Sequence, residues 1–331
     1  MLMKQKQTTE TSYCGIDISG ETIDVYYPDA MGTYQSETYS NNKEGFKTLL
    51  RKTGKHYHFV MESTGVYHLP LCFYLETKKS SYSVVNALQI KRYIQMHLER
   101  NKSDKKDAKH IYHYGVERNP ARYEMPNSLY FECKSLNHAI ESLTKEITSF
   151  KNKLYSLSKL DYDTKAVVKA YKNTLKQLSA ELENLEATLA DKLSEWQPDL
   201  VKQVRSVVGI GKRATSILIV STQGFKNTET YQQLICYAGL SPKEYTSGTS
   251  IRGKTKICKQ GGGRLRHTLY MCALNAKETN PACKALFDRL VAKGKNKKLA
   301  VIAVCNKLLK QVFGVVKSGE MFDRNYLQKI A

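Results

Sequence analysis

Between Leu136 and Leu189 the apolar residues step by three and four along the chain instead of alternating, and this change of period divides the sequence. Leu136, Ile140, Leu143, Ile147, Phe150, Leu154 and Leu157 form one series, and Leu175, Leu178, Leu182, Leu185 and Leu189 form a second. Each series lies on one face of a helix. Asp161 to Thr164 separates the two, and Pro198 lies just past the second. The spacing therefore predicts two long amphipathic helices joined near 161–164 and ending before Pro198. Heptads alone do not decide between an antiparallel hairpin within one chain and a coiled coil between chains. The helical stretch, 131–198, separates an N-terminal domain, 1–130, from a C-terminal domain, 199–331, and 331 residues are enough for two cores.

Upstream of the helices the pattern has a period of two. YCGIDISGETIDVYY, residues 13–27, reads as two strands around a turn at Ser19-Gly20. A short helix near Lys43 to Lys52, a strand HYHFVME ending at Glu62, a helix from about Tyr67 to Glu76 and a strand from Ser81 to Ala87 follow. A hairpin followed by alternating strands and helices predicts an α/β domain with a mixed sheet.

Four acids stand out on this pattern. Asp17 sits in mid-strand between Ile16 and Ile18, on the opposite face from both, an unusual place for a lone charge. Glu62 closes a strand before Ser-Thr-Gly, at the carboxyl edge where sites in α/β sheets gather. Asp104 and Asp107, in KSDKKDA, are three apart at a helix start and share one face. Phosphodiester chemistry uses such a grouping, because oxygen ligands suit Mg²⁺ and two ions clamp the attacking and leaving oxygens. Taken singly, each acid also has a structural explanation: Asp104 as a first-turn helix acid, Asp17 as a turn-facing surface group. Lys102, Lys105, Lys106 and Lys109 either hold substrate phosphates or offset the acids.

The C-terminal half is basic. Of a net charge of +21, two thirds falls between Lys243 and Lys317, where 17 Lys and Arg face 3 Asp and Glu. Such an imbalance in a segment punctuated by apolar residues points to phosphate contact. SVVGIGKRAT, from Ser206 to Thr215, predicts a glycine turn leading into a helix, with backbone N–H groups near Gly209 and Gly211, and Lys212, offered to a phosphate; the alternative is a turn between two packed helices. In EYTSGTSIRGKTKICKQGGGRLR, Ser247 is followed by Arg252, Lys254, Lys256, Lys259, Arg264 and Arg266. A serine attacking phosphorus needs cations of this kind around it. Ser247, Thr249 and Ser250 are equal candidates on these grounds, and all three also read as phosphate-holding or loop-capping groups.

Eight scattered cysteines show no CxxC pair and no zinc-type spacing, as expected of reduced thiols in a cytoplasmic protein. The N-terminal lysines precede no apolar stretch, so no secretory signal is predicted. The longest apolar run, Leu299 to Cys305, falls well short of the roughly 20 residues that span a bilayer, and no membrane role is expected.

GIDISGETIDV, VMESTGVY, NKSDKKDA, VVGIGKRAT, YAGLSPKEYTSGTSIRGKTKICKQGGGRLR and GVVKSGEMFD, in this order from about Tyr13 to Phe322, resemble the DEDD insertion-sequence transposases of the one-ten class, which are bridge-RNA-guided recombinases. The resemblance implies a RuvC-like N-terminal domain of RNase H fold, with Asp17, Glu62, Asp104 and Asp107 as an acidic tetrad binding Mg²⁺. It implies a mainly α-helical C-terminal transposase domain whose catalytic serine, in a Tyr-x-Ser-Gly context, falls on Ser247. It further implies donor and target DNA as substrates, a noncoding bridge RNA as guide, and a tetramer, a dimer of dimers, in which the helical linker serves assembly. The expected setting is the cytoplasm of a bacterium or archaeon, on the nucleoid. Lys243-Glu244 departs from the denser Arg and Lys that members often carry after the Gly-Leu-x-Pro turn. Two other readings of the same residues are a RuvC-like nuclease that only cuts, and a nucleic-acid-binding regulator without turnover.

Overall fold

The computed structural model describes residues 12–63, 65–97, 104–226, 228–243 and 256–325, together with the backbone of 246–247 and 251–252. The chain forms two compact units, Met1–Met125 and Pro126–Ala331, and the long helices fall in the second.

The first unit is a mixed α/β domain around a five-stranded sheet of order β3-β2-β1-β4-β5. Strands β1 (Tyr13–Ile18) and β2 (Thr22–Pro28) form the expected hairpin, and β2 continues antiparallel into β3 (Tyr34–Ser40). On the other side of β1, β4 (His58–Glu62) and β5 (Ser81–Val85) run parallel to it. Parallel neighbours need crossovers. Between β3 and β4 lies α1 (Lys43–Thr53), N-capped by Asn42, and between β4 and β5 lies α2 (Leu69–Lys78). Apolar side chains from one sheet face, Cys14, Ile16, Ile18, Ile23, Val25 and Phe59, pack with Phe46, Leu49, Leu71 and Leu75 of these helices. Helices α3 (Ala87–Met96) and α4 (Asp104–Arg118) follow β5, and α4 packs on β1, β2 and β4.

The second unit is helical. Helices α5 (Ser128–Leu157) and α6 (Lys165–Trp196) lie side by side and run antiparallel. Ring pairs at two levels fix the direction: Tyr130 meets Trp196 at 5.6 Å, and Phe150 meets Tyr171 at 5.4 Å. Burial is concentrated at the base of the pair, where Tyr130, Cys133, Ile140, Leu189 and Leu193 join the core of the unit. Toward its tip Leu154, Leu157, Leu175 and Leu178 are only half-buried. The heptad series thus forms a helical hairpin that is well covered at one end alone. Helices α7 (Pro198–Ser206), α8 (Lys212–Ser221), α9 (Tyr231–Tyr237), α10 (Gly263–Thr279), α11 (Pro281–Ala292) and α12 (Lys297–Ser318) complete the unit. The 22-residue α12 is long and apolar enough to cross a membrane, although its uninterrupted apolar run is short. Here Ala300, Val301, Val304, Cys305, Leu308, Leu309, Val312 and Val315 line up at helical spacing and are buried in the core.

Sequence patterning misses one strand of the first unit and overruns the end of another. Strand β3, YQSETYS, alternates between exposed and half-buried positions at the sheet edge and carries little apolar signal. The strand expected to reach Ala87 stops at Val85, because Asn86 caps α3 by accepting from the Leu88 N–H.

Candidate metal centre and nucleic-acid interface

The acidic site is built on one close approach. Gly15 and Asp17 face the same side of β1, two residues apart. A Cβ on Gly15 would lie 2.3 Å from the Ala108 carbonyl oxygen and 2.3 Å from the Tyr112 nitrogen, so α4 rests directly on the β1 backbone there. Further along α4, a Cβ on Gly115 would lie 3.0 Å from the Tyr13 ring and 3.0 Å from Val60. Helix α4 therefore runs against the direction of β1, and its first turn comes to Asp17. Ligand atoms of Asp17, Asp104 and Asp107 all lie within 4.8 Å of one another. Glu62 joins from the neighbouring strand. Ile16 pairs with Met61 in parallel register, so Asp17 and Glu62 are the next residues on adjacent strands and share a face.

The electrostatics follow from this crowding. Burial first, and then the charges of Asp107, Asp104 and Glu62, push the Asp17 carboxyl up to about 6, against the lowering effect of a hydrogen bond from the Ile18 N–H at 3.0 Å. Carboxylates driven together at this cost are relieved by a cation, and an all-oxygen donor set suits a hard divalent ion. Asp17, Asp104 and Asp107, with Glu62 beside them, fit such an ion.

Ser247 lies in the second unit on a short ribbon. Strand β6 (Pro242–Lys243) pairs with β9 (Lys256–Ile257), and within that pair β7 (Thr246–Ser247) pairs with β8 (Ile251–Arg252), all antiparallel. Ser247 is opposite Ile251, and Thr246 is opposite Arg252. Thr249, Ser250 and Lys254, and likewise Lys102, lie outside the described residues.

Two family models match the chain: a transposase model over residues 14–160 and a model of the IS116/IS110/IS902 transposase family over residues 201–288. The first spans the whole acidic site, and the second spans the serine ribbon. The chain is a member of the IS110 family of transposases. It is 28% identical to the pilin gene-inverting protein of Moraxella bovis over 324 residues, 95% of this chain and 98% of the relative. The pilin gene-inverting protein of Moraxella lacunata is equally similar. A 43.6 kDa insertion element IS110 protein of Streptomyces coelicolor is 28% identical over 158 residues, 47% of this chain and 38% of that protein. The protein is thus a DNA transposase/recombinase.

In this transposase the predicted phosphate-binding residues divide into two groups. Lys212, Lys256 and Lys259 are exposed. Arg264 and Arg266 are half-buried and bound to their own unit: Arg264 pairs with Glu141 at 3.0 Å and donates to the Asn137 carbonyl at 2.9 Å, while Arg266 donates to the Ala238 carbonyl at 3.0 Å. Gly209, with φ of 101°, packs so closely on α10 that a Cβ would meet Ala276 at 2.6 Å. Gly211 caps α8 in open space.

One further acid escaped the sequence reading. Asp24 is opposite Asp17 in the β1–β2 register, on the same sheet face, and its carboxylate accepts from Thr38 Oγ1 at 2.5 Å. The hairpin was legible, and the pairing of Ile18 with Ile23 across its turn carries the information that places Asp24 there.

Proposed function

We propose that this transposase is an RNA-guided recombinase that cuts and rejoins donor and target DNA through a phosphoserine intermediate, with Mg²⁺ held by Asp17, Glu62, Asp104 and Asp107. The observation that carries the reading is the convergence of Asp17, Asp104 and Asp107 within 4.8 Å, with Asp17 raised by burial and then by its acidic neighbours. The order β3-β2-β1-β4-β5, with a central acid on β1, supports a RuvC-like domain of RNase H fold. When bound, the ion supplies charge neutralisation at the phosphate and activation of the attacking oxygen.

The Ser247 Oγ attacks the scissile phosphorus, a phosphoserine ester forms, and the bond to the 3′ oxygen breaks. The proton released by the serine ends on that oxygen, leaving a 3′-hydroxyl that reverses the step on a new phosphate at rejoining. Lys256 and Lys259, exposed beside the ribbon, offset the charge of the pentavalent state. The relatives named for gene inversion favour this reading over a cutting nuclease, since inversion requires rejoining. Guidance by a noncoding bridge RNA rests on the family resemblance and on a C-terminal half basic enough for a second polyanion. Assembly into a tetramer agrees with the exposed Tyr155, Leu160, Tyr162 and Val167 around the hairpin tip.

The test is Ser247→Ala in the full chain, incubated with guide RNA, donor and target DNA and Mg²⁺. Recombinant product and the covalent protein–DNA adduct are both expected to vanish. Full recombination by the variant sinks the phosphoserine route, and cleavage without joining by either protein points to a hydrolytic nuclease.

A further inference from the structure

The second unit contains a cavity of about 600 Å³ walled by α5, α8, α9 and α10, of which α9 and α10 flank the Ser247 ribbon in sequence. Its size is within the roughly 300–1,000 Å³ typical of small-ligand sites. Asn137 of α5 lines it and is only 3% exposed. The Asn137 Oδ1 accepts from Arg213 at 2.9 Å and from Arg264 at 3.3 Å, which fixes the amide orientation. The other half of the amide, Nδ2, is buried without a hydrogen-bond partner. A buried donor left unpaired costs about 1–3 kcal/mol, so its persistence at a cavity wall calls for an acceptor brought from outside.

The rest of the wall says what carries that acceptor. Tyr237 of α9 lines the cavity and is 47% exposed, which leaves ring surface open for stacking. Tyr130, Lys134, His138 and Arg264 also line it. Behind them, burial and the charge of Arg264 push the Arg213 guanidinium down to about 10, with Glu186 and Glu141 offsetting part of this effect. The wall therefore has an aromatic face, an unpaired buried donor at Asn137 and basic side chains.

We infer that this cavity receives one unpaired nucleotide of a DNA strand, with the base against Tyr237, an acceptor on the base edge at Asn137 Nδ2, and the phosphate near Lys134. Because the Asn137 oxygen is occupied by two arginines, the amide cannot make the donor-plus-acceptor pair that reads adenine. The pocket selects for an acceptor edge, not for one base. This rests on the chain acting on DNA and is independent of the serine and metal chemistry.

The test uses the full chain in EDTA, where no cleavage occurs, so failure of the phosphoserine or metal reading leaves the result untouched. A single-stranded DNA of about 12 nucleotides carrying 2-aminopurine is titrated, with its duplex, an RNA strand of the same sequence and free dAMP in parallel. Emission is expected to fall on binding of the single strand. Tyr237→Ala should remove the quench and weaken single-strand binding about tenfold, within the range of one lost base stack, while duplex binding is unchanged. Tyr237→Phe should behave as the parent protein. Asn137→Asp keeps both arginine partners, removes the donor and opposes the phosphate, and should weaken the same binding several-fold. Parent-like quench and affinity in both Tyr237→Ala and Asn137→Asp would overturn the inference. So would losses confined to the RNA strand, or dAMP binding abolished by Tyr237→Ala with the DNA strand unaffected.

Discussion

Both units press like charges together, and they resolve the repulsion in opposite ways. In the first, Asp17 meets Asp104, Asp107 and Glu62, and its one backbone donor, the Ile18 N–H, leaves its carboxyl pushed up to about 6. In the second, Arg213 and Arg264 share Asn137, and Arg264 also pairs with Glu141. The arginines are held by acceptors within their own unit, so they stiffen the junction of α5, α8 and α10. The acids are assembled by the backbone approach of α4 to Gly15, and the raised carboxyl of Asp17 is what a cation would relieve. Charge crowding marks function where it leaves a carboxyl raised, as at Asp17, and structure where it is absorbed in bonds between helices, as at Arg213 and Arg264.

The strongest way to break this contrast is Asp17→Asn. The amide keeps the size of the side chain and removes the repulsion, so the fold should be retained or become slightly more stable. Metal-dependent strand cleavage should fall on the order of 10³-fold or more, the scale of several kcal/mol of lost charge stabilisation. Cleavage rates under single-turnover conditions, measured beside thermal melts, separate the two effects. Retention of near-parent cleavage would remove the acids from the chemistry.

Gly15→Ala attacks the scaffold and leaves every acid in place. The new methyl would meet α4 backbone at 2.3 Å, and backbone cannot swing aside as a side chain does. About 3 kcal/mol of destabilisation is expected, the upper part of the usual overpacking range, with divalent-ion affinity lost because the first turn of α4 is lifted from Asp17. Denaturant unfolding and metal titration of the same variant test both. A variant with normal stability and weakened metal binding would show that α4 shifts as a rigid body at little cost.

The sequence legibility of the two regions differs for the same reason. The hairpin, β4 and the helix-start pair Asp104 and Asp107 are short-range patterns, and alternation alone puts Asp17 on the face away from the core of Ile16 and Ile18. What sequence does not give is register and approach distance. Asp24 requires the pairing of Ile18 with Ile23, and the role of Gly15 requires α4, nearly ninety positions downstream, to lie on it. In the second unit Arg264 and Arg266 look like phosphate ligands in a basic run, yet their partners, Asn137, Glu141 and the Ala238 carbonyl, come from other helices and turns. For Ser247, residue spacing leaves three hydroxyls equivalent, and the two-residue strands give its register without ranking them.

A pH series sharpens the acid half of the comparison. The Asp17 carboxyl is raised in the folded state, so losing its proton costs the fold. Without metal, this contribution makes stability fall as pH rises from the usual carboxylate range, about 4, through about 6, and level off above. A bound divalent ion requires the ionised form, so its affinity moves the other way. Between pH 5 and pH 7 the ionised fraction rises about tenfold, and affinity should rise by a similar factor. Isothermal titration at the two values reads it directly. Equal affinities would mean that the ion rests on the other acids alone.

The smallest expected effect tests the cation half. Lys256 and Lys259 are exposed, whereas the half-buried Arg266 donates to the Ala238 carbonyl, so of these three the lysines are the better placed for phosphate. Each phosphate contact in duplex DNA contributes about 0.9 to the slope of log affinity against log salt. Lys256→Ala or Lys259→Ala should lower that slope by about one and weaken binding a few-fold at moderate salt, with unchanged melting temperature. Arg266→Ala should instead leave the slope alone and lower stability by about 1–2 kcal/mol, because a buried carbonyl loses its charged donor. A reduced slope with normal stability in Arg266→Ala would mean that this arginine leaves Ala238 to reach the DNA, and the division between structural arginines and working lysines would fail at that residue.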